Sequence, residues 1–188
     1  MDSISFDDGS LYYSLSKDGD CSLKIEGKIN SLLEVAFKDV LKKPENDRCK
    51  SYKLSLNSGG GNLGIAMEIG DIVLSKKMTT IALDKCKSAC MYLFISGHTR
   101  IASKYSILGL HQSIDIKSKA CSTPEKDKKD NPNYSKTLEH YVDIRLGSKT
   151  GKFFRYKDNV ASCKEMLHVD KEEFLKKGII TELIAESE

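Results

Sequence analysis

The chain has no apolar run near the ~18 residues that a helical bilayer span needs. Its longest, Met91-Tyr92-Leu93-Phe94-Ile95, is the length of a buried helix turn or two. Excess charge is also missing: 30 Lys and Arg against 27 Asp and Glu leave a net +3. The densest basic stretch, Lys126-Asp127-Lys128-Lys129-Asp130, mixes both signs and reads as a solvated loop, so nucleic acid is not implied. Nucleotide motifs are absent. No G-x-G-x-x-G occurs, and Gly147-Ser148-Lys149-Thr150-Gly151-Lys152 has the wrong spacing for a phosphate loop. No Cys-x-x-Cys pair occurs either, which leaves metal the weakest reading of the cysteines; neither metal nor cofactor is expected. The stretch Met1-Asp2-Ser3-Ile4-Ser5-Phe6-Asp7-Asp8 lacks the basic and apolar regions of a signal peptide, as a mature form beginning with an added Met also would.

What is present describes an ordinary globular chain: 188 residues, 39% apolar and 30% charged. That suits one domain with a substantial core and is short for two. Six cysteines, an even number, fit an oxidising compartment and disulfides, with reduced structural thiols as the alternative. Runs 11–16 and 21–27 predict an opening hairpin around Lys17-Asp18-Gly19-Asp20. Asn30 or Ser31 caps a helix running to about Lys42, and Pro44 ends it. Tyr52 to Asn57 alternates like a strand. Asn62 to Ser75 has the spacing of a buried helix. Short strands follow at 79–83, 100–102 and 107–110, with an apolar helix at 88–95. This βαβαβ rhythm predicts an α/β fold with a mainly parallel sheet. A polar loop spans 113–132 and holds two of the 3 prolines. Helices are expected at about 134–146, 159–167 and 171–177, the last ended by Gly178. The organisation is one domain, 1–188, with a core (1–112), the polar loop and a helical C-terminal region (133–188).

Three pieces carry chemistry. Ser88 lies where a strand and the turn Asp84-Lys85-Cys86-Lys87 meet a helix, where the next N–H groups lack helical partners. It has two readings, a nucleophile or an ordinary N-cap serine. His111 ends an apolar strand, where open α/β sheets place their crevice, whereas His98 falls in a turn and His140 and His168 in the polar C-terminal half. Leu56-Asn57-Ser58-Gly59-Gly60-Gly61-Asn62 is a turn whose glycines let backbone N–H groups approach a substrate. Nucleophile, base and oxyanion donors are the parts of a hydrolase.

Taken together, Leu54 to Asn62, Cys86-Lys87-Ser88-Ala89-Cys90, Ser96-Gly97-His98-Thr99-Arg100 and Gly109-Leu110-His111-Gln112 resemble the Clp protease proteolytic subunit family, and more nearly its bacterial periplasmic ClpP-like relatives. Glu172 to Thr181 looks like the family's C-terminal helix and turn, so the resemblance covers about half the chain. It implies a ClpP/crotonase-like superhelix of β-β-α units. It further implies a serine peptidase with Ser88 as nucleophile, His111 as general base, and Gly60 or Gly61 with Ala89 as oxyanion hole. A substrate peptide would lie as a strand along residues 61–63. Homo-oligomerisation and a periplasmic or secreted location also follow, with the cytoplasm as alternative.

The chain departs from the family at the carboxylate that orients the histidine. Met166 stands at that position, with Glu165 beside it and Asp158 further back. A catalytically weak or inactive peptide-binding protein is therefore the second reading. A crotonase-type acyl-CoA enzyme, which needs no Ser88–His111 pair, is the third. No chaperone-ATPase docking signature is present. On this fold Cys21 and Cys49 would meet as neighbouring strand starts, Cys121 with Cys163 would tie down the polar arm, and Cys86 with Cys90 would bridge the nucleophile. The last pair suggests redox control.

Overall fold

In the computed structural model, residues 1–16, 18–44, 48–114, 120–123, 129–130 and 132–185 are described. Period-two alternation builds the central strands. In β3 (Asp20–Gly27) Cys21, Leu23 and Ile25 are buried, and in β4 (Ser51–Ser58) Leu54, Leu56 and Ser58 are. The hairpin read at 11–27 is present as β2 (Gly9–Leu15) against β3, antiparallel. A strand the sequence reading did not anticipate, β1 (Asp2–Phe6), extends it at the edge.

From β3 onward the sheet is parallel except for one short antiparallel pairing near the C-terminus. Helix α1 (Ser31–Leu41) connects β3 to β4, and α2 (Leu63–Ser75) connects β4 to β5 (Thr79–Lys87). Helix α3 (Ala89–Phe94) connects β5 to β6 (Thr99–Ser103). Helix α1 buries Leu33, Ala36, Phe37 and Val40, the spacing of one helical face, and its N-cap is Asn30, whose side chain accepts the Leu33 N–H. Asn62 caps α2 in the same way through Ile65. The cores of both helices meet the sheet in one continuous cluster that includes Phe94, Phe154 and Phe174.

Two sequence expectations need correction. The turn expected at Asp84–Lys87 is strand: β5 continues through it and changes neighbours, pairing with β4 and β6 early and with β7 (Ile107–Leu110) from Lys85 to Lys87. Its polar composition reflects exposure of Asp84 and Lys85, not a chain reversal. The helix expected at 159–167 is also absent. After α4 (Pro132–Leu146) a break at Gly147, φ +75°, starts α5 (Ser148–Asp158). The following segment is bonded elsewhere: Ala161 accepts the Gln112 N–H and Cys163 is in a disulfide. It then forms β8 (Leu167–His168), antiparallel to β7.

Helix α6 (Lys171–Lys176) is capped by Asp170 and ends before Gly178, as expected, and β9 (Glu182–Ile184) closes the sheet beside β6. Within the polar loop, residues 115–119, 124–128 and 131 lie outside the described ones, while Ile114 bridges Cys121. The helical pair α4–α5 is anchored by buried Arg145, whose guanidinium donates to Ser96 (2.7 Å), the Tyr141 carbonyl (2.9 Å) and Asp71 (2.6 Å). All six cysteines are paired: Cys21–Cys49, Cys86–Cys90 and Cys121–Cys163. These are the three pairings that the family resemblance implied.

Candidate active site

Ser88 sits between the end of β5 and the start of α3 with φ 54° and ψ −127°. Among the described residues only Lys77 shares a positive φ without being glycine, and Lys77 merely follows a helix end. A conformation like that of Ser88 costs about 1–3 kcal/mol and persists where surrounding structure imposes it. Here the imposing bonds are visible. The Ser88 N–H donates to the Gly109 carbonyl of β7 (2.8 Å), and its carbonyl accepts from Met91 (2.9 Å). The buried Cys86–Cys90 disulfide closes a short ring around it. The Ser88 side chain makes no capping hydrogen bond, so the ordinary N-cap reading is not realised. The hydroxyl is left half-buried at the mouth of a helix whose first N–H, that of Ala89, has no partner within it.

The Gly-rich turn packs directly on this junction. A Cβ at Gly60, φ +104°, would lie 2.7 Å from the Lys87 carbonyl and 2.8 Å from Ser88 Cβ, so only glycine fits. The Gly60 N–H is committed to Ser58 Oγ (3.0 Å) and its carbonyl to the Ile29 N–H (2.9 Å). Asn62 donates to the Ile29 carbonyl (2.9 Å), which leaves the Gly61 N–H between them outside these bonds. The two glycines thus separate in role: Gly60 permits the approach, and Gly61 with Ala89 retains a free backbone donor.

His111 follows β7 directly, two residues beyond the carbonyl that holds Ser88. Its Nδ1 is buried and has no hydrogen-bond partner, and its ring does not hydrogen-bond Ser88. Among the described residues no carboxylate orients it. The position counted for that carboxylate is occupied by apolar packing, since Met166 Sδ and Cγ would be 2.7 and 2.8 Å from a Cβ at Gly109. Glu165 is exposed. Asp158 is buried, but its Oδ2 accepts the Tyr92 hydroxyl (2.7 Å) and its Oδ1 has no partner. Burial pushes the Asp158 carboxyl up to about 7, against the opposing pull of the Tyr92 bond. Burial also pushes the Tyr92 phenol well up.

No family model and no curated protein matches this sequence. Solved structures do match. A mutant of ClpP1 from Listeria monocytogenes superposes with a TM-score of 0.66 at 16% identity, covering 88% of this chain and 91% of that one. A mutant of the 1510-N membrane-bound stomatin-specific protease gives 0.61 at 17% identity, covering 88% of this chain and 78% of that one. The fold is ClpP-like.

On this ClpP-like framework the C-terminal ends of β4, β5 and β7 bring the Gly60–Gly61 turn, Ser88–Ala89 and the approach to His111 to one edge of the sheet. His98, His140 and His168 are all exposed; His98 and His140 lie away from this edge in the topology, whereas His168 pairs with Gly109 across β7 and β8. Among the described residues no group of three or more His, Cys, Asp or Glu side chains has metal-binding geometry, and no helix is long and apolar enough to cross a membrane. The Tyr92–Asp158 pair was not legible beforehand, because Tyr92 sits in an apolar helix and reads as core. Asp158 carried a signal only as a carboxylate preceding Met166.

Proposed function

We propose that this chain is a serine hydrolase, a peptidase, with Ser88 as nucleophile and His111 as general base. The observation that carries this reading is the backbone of Ser88: a strained, uncapped serine at a strand-to-helix junction, pressed against a glycine that nothing else could replace. His111 takes the hydroxyl proton as Ser88 Oγ attacks a carbonyl, then returns it to the leaving group. The Ala89 and Gly61 N–H groups stabilise the oxyanion, which refines the earlier choice between Gly60 and Gly61 in favour of the donor not already bonded. Residues 61–63 border the groove in which a peptide strand would lie.

Without an orienting carboxylate the imidazole tautomer is not fixed, so turnover is slow. The unpartnered Nδ1 is also the observation that favours the second reading, a peptide-binding protein without turnover. Covalent labelling by a fluorophosphonate separates the two. Ser88 should be labelled in the folded protein, Ser88→Ala should abolish labelling, and His111→Ala should slow it by about 10³-fold. Absence of labelling under both oxidising and reducing conditions selects the binding protein. The three disulfides support an extracytoplasmic, periplasmic or secreted setting. Self-association is favoured by apolar residues left exposed, Ile144 on α4, Tyr156 on α5 and Val160 just after it, and light scattering tests it.

A further inference from the structure

A cavity of about 810 Å³ lies between α4, α5 and the segment after His111. Its volume is in the range of small-ligand sites. Leu138 and Val160 give it apolar walls, Ser135 a hydroxyl, and Tyr92 and Asp158 line it where they bond each other. Two of its lining residues adjoin the proposed chemistry. Gln112 is the neighbour of His111, and Tyr92 lies on the helix that Ser88 precedes.

The feature without explanation is Asp158 Oδ1. It is buried with no hydrogen-bond partner, and no ion pair among the described residues includes Asp158. The nearest guanidinium on its own helix, Arg155, is committed to the Asp143 carboxylate and the Glu139 carbonyl. Lys152 is an exposed side chain at the rim. A carboxylate taken out of water without a cation is costly, and such a group persists where a ligand supplies the missing partner. The partner must donate hydrogen bonds and, for an ionised carboxylate, carry positive charge. It must also have an aliphatic stem to cover Leu138 and Val160.

We propose that this cavity binds the basic side chain, lysine or arginine, of a peptide seated at the Ser88–His111 site, with Asp158 Oδ1 accepting from its ammonium or guanidinium group. That the cation belongs to a substrate rests on the peptidase reading; that the cavity takes a cation does not. Tyr92 holds the carboxylate in place through Oδ2 and leaves Oδ1 for the ligand. The charged and titratable groups around the Tyr92–Asp158 pair are Tyr134 and Glu139 from α4, and Lys152, Arg155 and Tyr156 from α5. His111 adjoins the Gln112 wall, so pH trends are read against a variant lacking the Asp158 charge.

Calorimetry with n-butylguanidinium and its neutral isostere n-butylurea tests the proposal, on the wild-type protein and on Ser88→Ala. At pH 8 both should prefer the guanidinium by about 10- to 100-fold. The preference should narrow at pH 6, where Asp158 is protonated, and binding near pH 7 should release protons. Asp158→Asn, which keeps an acceptor for Tyr92, should remove the preference. Leu138→Trp, which fills the cavity from a half-buried wall, should weaken guanidinium binding without altering the carboxylate, and it decides the matter if the Asn variant fails to fold. Equal binding of the two probes, or a preference that survives Asp158→Asn, overturns the proposal. Loss of Ser88 labelling in Asp158→Asn by a reagent without a basic group also overturns it, because Asp158 would then act through His111. A guanidinium preference in a protein that is never labelled would keep the cation site and remove the peptidase; labelling without preference would do the reverse.

Discussion

Around Ser88 the backbone is fixed by its own bonds, with only the Gly61 and Ala89 N–H groups left as donors: Gly60 bonds Ser58 and Ile29, Ser88 bonds Gly109, and a disulfide closes the junction. Around His111 two buried polar atoms, His111 Nδ1 and Asp158 Oδ1, have no partner. The first region is held by main-chain bonds and ring closure, so its geometry depends little on which side chains surround it. The second depends on side chains alone, and there Met166 packs on Gly109 in place of a carboxylate. A fold can therefore keep a nucleophile and its oxyanion donors in position while the support of the base is altered. The largest test of this contrast is Gly60→Ala. The added Cβ meets backbone and Ser88 Cβ below 3 Å and must adopt φ +104°, so the turn has to move away from Ser88. Labelling of Ser88 should fall by about 10²-fold or more, the effect of displacing an oxyanion donor by an ångström. The matching change in the other region, Met166→Ala, trims a side chain packed on Gly109 but leaves the Gly109–Ser88 backbone bond in place, and should alter labelling by far less. Comparable losses from the two would mean that the regions are not built differently.

The same contrast governs what could be read from sequence. The strands, the capped helices and the Gly60–Gly61, Ser88 and His111 pieces were legible because periodicity, Asn caps and glycines are local signals. The extension of β5 through Asp84–Lys87 was not, because it depends on β7 arriving alongside, a partner remote in sequence. Nor was the segment 159–167, whose apolar spacing resembles a helix but whose backbone is bound by Gln112, Cys121 and β7. The separate roles of Gly60 and Gly61 also needed coordinates, since only the Ser58 side chain distinguishes their N–H groups. Asp158 was visible as a carboxylate, but its Tyr92 partner lies 66 residues away.

The disulfides sharpen the comparison at intermediate size. Cys86–Cys90 closes a loop of separation 4, and Cys121–Cys163 one of separation 42. In the chain-entropy account their removal costs about 2 and about 4 kcal/mol respectively. Function should rank them the other way. Cys86→Ala with Cys90→Ala frees the junction that carries Ser88 and the Ala89 N–H, and should slow labelling by about 10-fold or more. Cys121→Ala with Cys163→Ala should lower the melting temperature more and slow labelling less. If both readouts rank the bridges alike, the short bridge has no special hold on the nucleophile, and redox control through it is excluded.

The smallest effect concerns Asp158 itself. Its folded-state carboxyl is pushed up to about 7 by burial, well above the ordinary aspartate range. The folded state therefore holds the proton more tightly than the unfolded chain, and stability falls as pH rises from about 4 through about 7, after which the penalty is complete. Asn carries no such charge. Asp158→Asn should thus raise the melting temperature at pH 8, by about 2–4 °C for each kcal/mol relieved, and by less at pH 5. Thermal denaturation at the two pH values measures this directly. n-Butylguanidinium should stabilise the wild-type protein at pH 8 and the Asn variant hardly at all, because only the carboxylate gains a cation. A stability difference between the two proteins that does not change with pH would mean that the buried carboxylate carries no charge penalty, and Asp158 would then no longer set the region around His111 apart from the one around Ser88.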